Sequence, residues 1–164
     1  MKSFQVENVR EFMQKLLMEN VFDNFLIVSF SIDKDMSVII DGERNKTWYD
    51  TDSKDMPFYL TWKEVRDTVA FLIKGKRSPL RMKAVFRLSK ENTEKLLLNV
   101  ENNGNTSAAD TAFCWNMRFE EGTLIITTGV SSNDFRLIPV LNEIWDKDIL
   151  IFLKHFGIVC LENR

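Results

Sequence analysis

Carboxylates are the most plentiful groups in this chain with catalytic or metal-binding capacity. Asp41, Glu43, Asp50, Asp52 and Asp55 cluster in one polar stretch. Grouped oxygen ligands of this kind hold hard cations such as Mg²⁺ or Ca²⁺. The spacing Asp50-x-Asp52-x-x-Asp55 lacks the glycine and the distal Glu of an EF-hand loop, and Arg44, Lys46 and Lys54 interleave and neutralise the group. A solvated loop is the expected state, and metal-assisted hydrolysis is the last-ranked function. Asp33 and Asp35 flank Lys34 as a turn.

The other catalytic residue types are sparse. His155 is the only histidine, and it falls in the last turn of a C-terminal helix, where a cation complements the helix dipole. Cys114 and Cys160 lie far apart without metal-ligand spacing, so reduced, unreactive thiols are expected. There is no Gly-x-Ser-x-Gly elbow, no phosphate-binding glycine loop and no dinucleotide fingerprint. No catalytic residue, metal site or cofactor is assigned.

Two stretches have binding chemistry. Lys74, Lys76, Arg77, Arg81 and Lys83 form an acid-free basic run broken by Gly75, Ser78 and Pro79. Such a run holds nucleic-acid phosphates with strong salt dependence, unless it is simply a solvated connector. No stacking aromatic interleaves it. Trp48, Tyr49, Phe58 and Tyr59 flank the acidic loop. Exposed, they would anchor a partner protein; their size favours the core, which is the expectation here.

Composition bounds the rest. The chain has 164 residues, 45% hydrophobic and 28% charged, which fits one compact domain. A net charge of −2 provides no global attraction to nucleic acid or anionic membranes. No apolar run approaches the ~20 residues of a membrane span, and residues after Met1 form no signal-peptide core. A cytoplasmic protein is expected.

The elements follow from periodicity. Ser3 to Val6 is extended. Asn8 caps a helix with Val9, Phe12, Met13, Leu16 and Leu17 on one face. Leu26, Val28, Phe30 and Ile32 alternate as a strand, and a loop at 33–35 returns Met36, Val38 and Ile40 opposite Ile32, Phe30 and Val28. Lys46 to Tyr49 adds a third strand. Thr61 and Glu64 form a capping box, and Gly75 ends the helix that follows. In the second half Met82 to Leu88 is a strand and Ser89 caps a short helix. The Asn-rich stretch 101–110 is expected to be a mobile loop. Phe113 to Phe119 and the strand from Leu124 close on Glu121-Gly122, pairing Phe119 with Leu124 and Met117 with Ile126. Phe135, Leu137 and Pro139 read as an edge strand, and Asn142 caps a last helix ended by Gly157.

The order repeats. Residues 1–75 and 81–158 each read β-α-β-β-β-α, with the basic run 74–83 as connector, and Phe30 to Gly42 overlays Met117 to Gly129 without a gap. The fold class is α+β, one domain with possible internal duplication, mainly antiparallel sheet and about four helices. By element order it resembles DNA sliding-clamp domains and the TATA-binding-protein-like fold, and fold alone transfers no function.

Phe12-Met13 through Leu16-Leu17, Phe22-Asp23, Ile40-Asp41-Gly42, Leu72-Ile73-Lys74-Gly75-Lys76, the Glu121-Gly122 hairpin, Trp145-Asp146 and Phe152-Leu153 to Gly157-Ile158 also resemble a family of short uncharacterised proteins from anaerobic Gram-positive bacteria. The resemblance implies a small bacterial cytoplasmic protein and brings no catalytic residues. The expected function is a non-enzymatic binding or protein-interaction module, homodimeric or with a protein partner. The alternative is a nucleic-acid-associated accessory protein using the basic connector.

Overall fold

In a computed structural model, residues 1–49, 55–100 and 107–163 are described. Seven strands form one continuous sheet in the order β3-β2-β4-β5-β6-β1-β7. They are β1 (Ser3–Val6), β2 (Leu26–Asp33), β3 (Ser37–Asp41), β4 (Arg81–Arg87), β5 (Thr111–Glu120), β6 (Thr123–Ser132) and β7 (Cys160–Asn163). Every pairing is antiparallel. The helices are α1 (Val9–Met18), α2 (Trp62–Ile73), α3 (Lys90–Leu97) and α4 (Ile138–His155). The fold is α+β.

Alternation decides which face is covered. Met82, Ala84 and Phe86 on β4 and Phe113, Trp115 and Met117 on β5 are buried, and they join one core cluster with Phe12 and Leu16 of α1, Trp62 and Val69 of α2, Leu96 of α3 and Trp145 and Ile149 of α4. The intervening Lys83, Asn116 and Arg118 are exposed on the opposite face. An antiparallel sheet tolerates one solvated face, because its backbone bonds are satisfied within the ladder.

Local signals place most of the element starts. Asn8 accepts from the Glu11 amide at 3.1 Å, Ser89 accepts from the Asn92 amide at 3.3 Å, and Glu64 reaches back to accept from the Thr61 amide at 2.8 Å and hydroxyl at 3.0 Å. Glu121 and Gly122 turn at φ 50° and 75°, and Phe119 pairs with Leu124 and Met117 with Ile126, as the turn chemistry requires.

Four expectations need correction. The β2–β3 loop is one residue later, so Ile32 pairs with Val38 and Phe30 with Ile40; a two-residue slip keeps the same face inward. A bulge between Ile27 and Ser29 leaves Val28 over, so Ile27 rather than Val28 is fully buried. Lys46–Trp48 is a 3₁₀ turn, not a third strand, its first amides capped by Asn45. Residues 135–139 are not an edge strand: α4 starts at Ile138, with Pro139 in its first turn, where a missing N–H costs nothing. The expected loop at 101–110 falls largely on 101–106, which lie outside the described residues.

The order strand, helix, two strands, helix occurs twice, but strand neighbours differ. β4 sits between β2 and β5, whereas β1 sits between β6 and β7. The strand opening the second half thus welds the halves together, and the strand opening the first pairs with the second half.

The excursion from β3 to α2 is stitched to β2 by backbone bonds. Gly42 N–H donates to Val28 O at 2.9 Å, Leu60 N–H to Gly42 O at 2.8 Å, and Ile27 N–H to Leu60 O at 2.8 Å. A Cβ on Gly42 would stand 1.7 Å from Ile27 O and 2.9 Å from Val28 O, both main-chain atoms that cannot rotate away. Two residues on, the buried Arg44 guanidinium holds the excursion together. It donates to both Glu64 carboxylate oxygens at 2.9 and 2.8 Å, to Tyr49 Oη at 2.9 Å and to Pro57 O at 3.1 Å. Those guanidinium bonds, more than its capping partner Thr61, hold the Glu64 carboxyl below the usual range.

Gly42→Ala is expected to lower stability by at least ~2 kcal/mol, because backbone must move; a urea midpoint within error of wild type would contradict this close approach. Glu64→Gln strands a buried guanidinium, which costs ~3–5 kcal/mol in a closed site; because Glu64 is 39% exposed, solvent screening lowers the expectation to about 1–3 kcal/mol. With Glu64 depressed in the folded state, its stabilisation is full above its unfolded pKa and fades as pH falls through the folded one. The gap between wild type and Glu64→Gln should therefore be flat near neutrality and close below about pH 4, as followed by melting curves.

Candidate functional site

Among the described residues the acids of this cluster do not converge. Asp41, Glu43 and Asp55 are exposed, and Asp41 Oδ1 is taken by the Glu43 amide at 2.9 Å in a local turn. Asp50 and Asp52 lie outside the described residues. Among the described residues no three His, Cys, Asp or Glu side chains are grouped to hold a metal ion. His155 is exposed, with its ring edge-on to Phe156 at 4.8 Å. Both cysteines are free thiols. Burial pushes Cys114 up and Cys160 to about 11, so neither is a thiolate at neutral pH.

The basic run divides between two faces. Lys34 Nζ reaches over to the carbonyls of Leu72 at 3.0 Å and Lys74 at 3.2 Å, closing the end of α2. Arg81 is engaged with Asp33 at 3.1 Å and Glu120 at 3.9 Å. Lys83 belongs to the open sheet face with Arg118. Lys76 and Arg77 do converge, and α1 adds Arg10, a residue outside the sequence motif. These three cations border a groove of about 520 Å³ floored by Met13, Ile73 and Phe119. None of the three has an ion-pair partner among the described residues.

The aromatic segment is not core. Trp48 is 80% exposed and Phe58 52%, whereas Trp62, Trp115 and Trp145 are at most 1% exposed. The physical reason is the Arg44 clamp: hydrogen bonds hold this segment in place, so its rings are not needed inside. Tyr49 lies under the Arg44 guanidinium, 5.3 Å from ring centroid to Cζ, and Tyr59 meets Phe58 edge-on at 4.9 Å.

One site escaped the sequence reading. The 20–25 turn, α3 and α4 surround a cavity of about 590 Å³. Phe25, Phe152 and Phe156 form an apolar wall, with ring centroids 5.3 Å apart for Phe25–Phe152 and 5.0 Å for Phe152–Phe156. Asp148 stands one helical turn before Phe152 on the same side of α4 and lines the cavity with it. Asn20, Asn24, Asn92 and Asn99 complete the rim. Burial holds the Asp148 carboxyl above its usual range. The available signal was an acid set within the apolar stripe of the last helix.

Comparison with known proteins returns one family, a family of unknown function (DUF5721), over residues 15–160. No curated protein and no solved structure matches the chain. With β2 to β6, α2 to α4 and the last turn of α1 inside the matched span, the chain belongs to this family of unknown function.

Proposed function

We propose that this protein is a non-enzymatic interaction module that self-associates through the β3 edge and the aromatic segment beside it. The observation that supports this is the exposure of Trp48 on a segment held in place by hydrogen bonds from the buried Arg44 guanidinium to Tyr49 and Glu64. A rigid, exposed indole loses little entropy on docking, which is why such residues dominate contact energetics. The adjoining outer strand β3 reads Ser37-Val38-Ile39-Ile40-Asp41, with Ile39 80% exposed and neither proline nor lysine to guard it. Unguarded edges pair with other strands, and an antiparallel edge is complementary to itself across a twofold axis. A cytoplasmic location and a bacterial source form part of the same proposal. Among the described residues no helix is long and apolar enough to cross a membrane.

Nucleic-acid association, the second reading, is favoured by a different surface: Arg10 brings a third unpaired cation to Lys76 and Arg77. Its floor offers a single, partly buried ring for base stacking, Phe119, so it ranks behind self-association.

Light scattering should show a dimer that dissociates on dilution. Trp48→Ala and Ile39→Lys should each weaken it by ~2 kcal/mol, roughly 30-fold in Kd, and leave melting within about 0.5 kcal/mol because both side chains are exposed. A monomer at every concentration, with Trp48 freely quenched by acrylamide, would remove this reading. For the second, any salt-dependent nucleic-acid affinity should lose about two from its log–log slope in Lys76→Ala/Arg77→Ala; an unchanged slope would dismiss that surface.

A further inference from the structure

Two acids are buried on the helical side of the sheet and a third is partly so. Asp23 is 9% exposed and paired with Arg66 at 3.2 Å. Asp146 is 6% exposed, accepts from the Thr128 hydroxyl and lies 3.2 Å from the terminal ammonium of Met1. Asp148 is half-buried, and among the described residues no hydrogen bond or ion pair reaches it. Its carboxylate oxygens keep some contact with water, so Asp148 has lost part of its hydration, and no counterion among the described residues replaces that part.

The surroundings of Asp148 restrict what would compensate it. The cation nearest in the lining, Lys95, is paired with Glu91 at 2.7 Å along α3. The amide side chains of Asn20, Asn24, Asn92 and Asn99 have no hydrogen-bond partner among the described residues, so their donors and acceptors are available to a guest. The Phe25–Phe152–Phe156 wall presents aromatic surface, which attracts cations as well as flat apolar groups. At about 590 Å³ the cavity falls within the range of small-molecule sites.

We propose that this cavity binds a small organic cation, an amine, amidine or guanidine on a flat apolar body, with Asp148 as its counterion and the asparagine amides orienting its polar substituents. An anion is disfavoured by the uncompensated carboxylate. A fully apolar guest would displace water from Asp148 and from the partly buried Asn92 without replacing its hydrogen bonds, at up to ~1–3 kcal/mol for each group it buries.

The test titrates the full-length protein with benzamidinium, phenethylammonium and the neutral isostere benzamide, followed by saturation-transfer NMR. At least one cation should saturate, and benzamide should bind at least about tenfold more weakly than benzamidinium. Asp148→Asn should weaken the cations by about tenfold or more and leave benzamide unchanged. Because Asp148 has no partner to lose, Asp148→Asn should also melt at or above the wild-type temperature at neutral pH. Phe156→Ala, which keeps the carboxylate, should weaken both probe types. The proposal is overturned by equal binding of benzamide and benzamidinium, by saturation with neither cation, or by a variant at Asp148 that melts lower or does not fold. A melting increase in Ca²⁺ that Asp148→Asn abolishes would reassign the cluster to a metal and likewise overturn it.

Discussion

The stacking of Phe86 on Trp115 is the contact on which the remaining structure depends. The two residues are cross-strand partners on β4 and β5, and their rings lie 4.8 Å apart at 17°. Trp62 of α2 meets Phe86 edge-on at 5.2 Å, while Phe22 and Phe25 from the turn after α1 each reach Trp115 at 5.6 Å. One pair of rings therefore fixes the central strands, one helix and the turn that borders the asparagine cavity. Among the described residues the Trp115 indole N–H has no hydrogen-bond partner. Leaving such a donor unpaired costs ~1–3 kcal/mol. Burying a ring of ~200 Å² contributes about 5 kcal/mol at the usual area coefficient, so packing outweighs the lost bond.

That central weld explains why two similar runs of elements make one sheet. β4 pairs with β2 on one side and β5 on the other, so neither half closes a core alone. β1 then finds its place against β6, with the C-terminal tail added as β7. Local order was legible in the sequence because its causes are local: Asn8, Thr61 and Ser89 cap where side-chain oxygens meet orphan amides, and Glu121-Gly122 sets its hairpin by turn chemistry. Strand neighbours depend on contacts far apart in the chain, and no short-range pattern encodes them. The Val28 bulge was hidden for a related reason. It exists because Gly42 approaches the β2 backbone, and that approach is a tertiary fact.

The binding surfaces were legible in unequal measure. The basic run and the aromatic pairs stood out as clusters of type, yet their arrangement did not follow from clustering. Arg81 and Lys83 alternate with buried Met82 and Ala84, so strand pleating points them away from the groove that holds Lys76 and Arg77. Arg10 joins that groove from another helix. For Trp48, hydrophobicity argued for the core, but Arg44 satisfies the segment through hydrogen bonds and leaves the ring outside. Hydrophobic residues are drawn inward only as far as the chain's tethers allow.

The asparagine cavity and the β6 side of α4 separate two acids that lie two residues apart. A helical stripe of Ile144, Trp145, Ile149, Phe152, Leu153 and Phe156 leaves the intervening acids to solvent, yet Asp146 and Asp148 both turn toward the protein. Two residues on a helix are separated by about 200° of rotation, so they face different neighbours. Asp146 meets Thr128 and the chain terminus from beneath β6 and is compensated. Asp148 meets phenylalanines and amides and is not. Hydropathy assigns both the same value; only the placement of other charges separates a structural acid from an unsatisfied one. A partly buried charge becomes informative once the cations around it are accounted for, and in the asparagine cavity no ion pair among the described residues reaches Asp148.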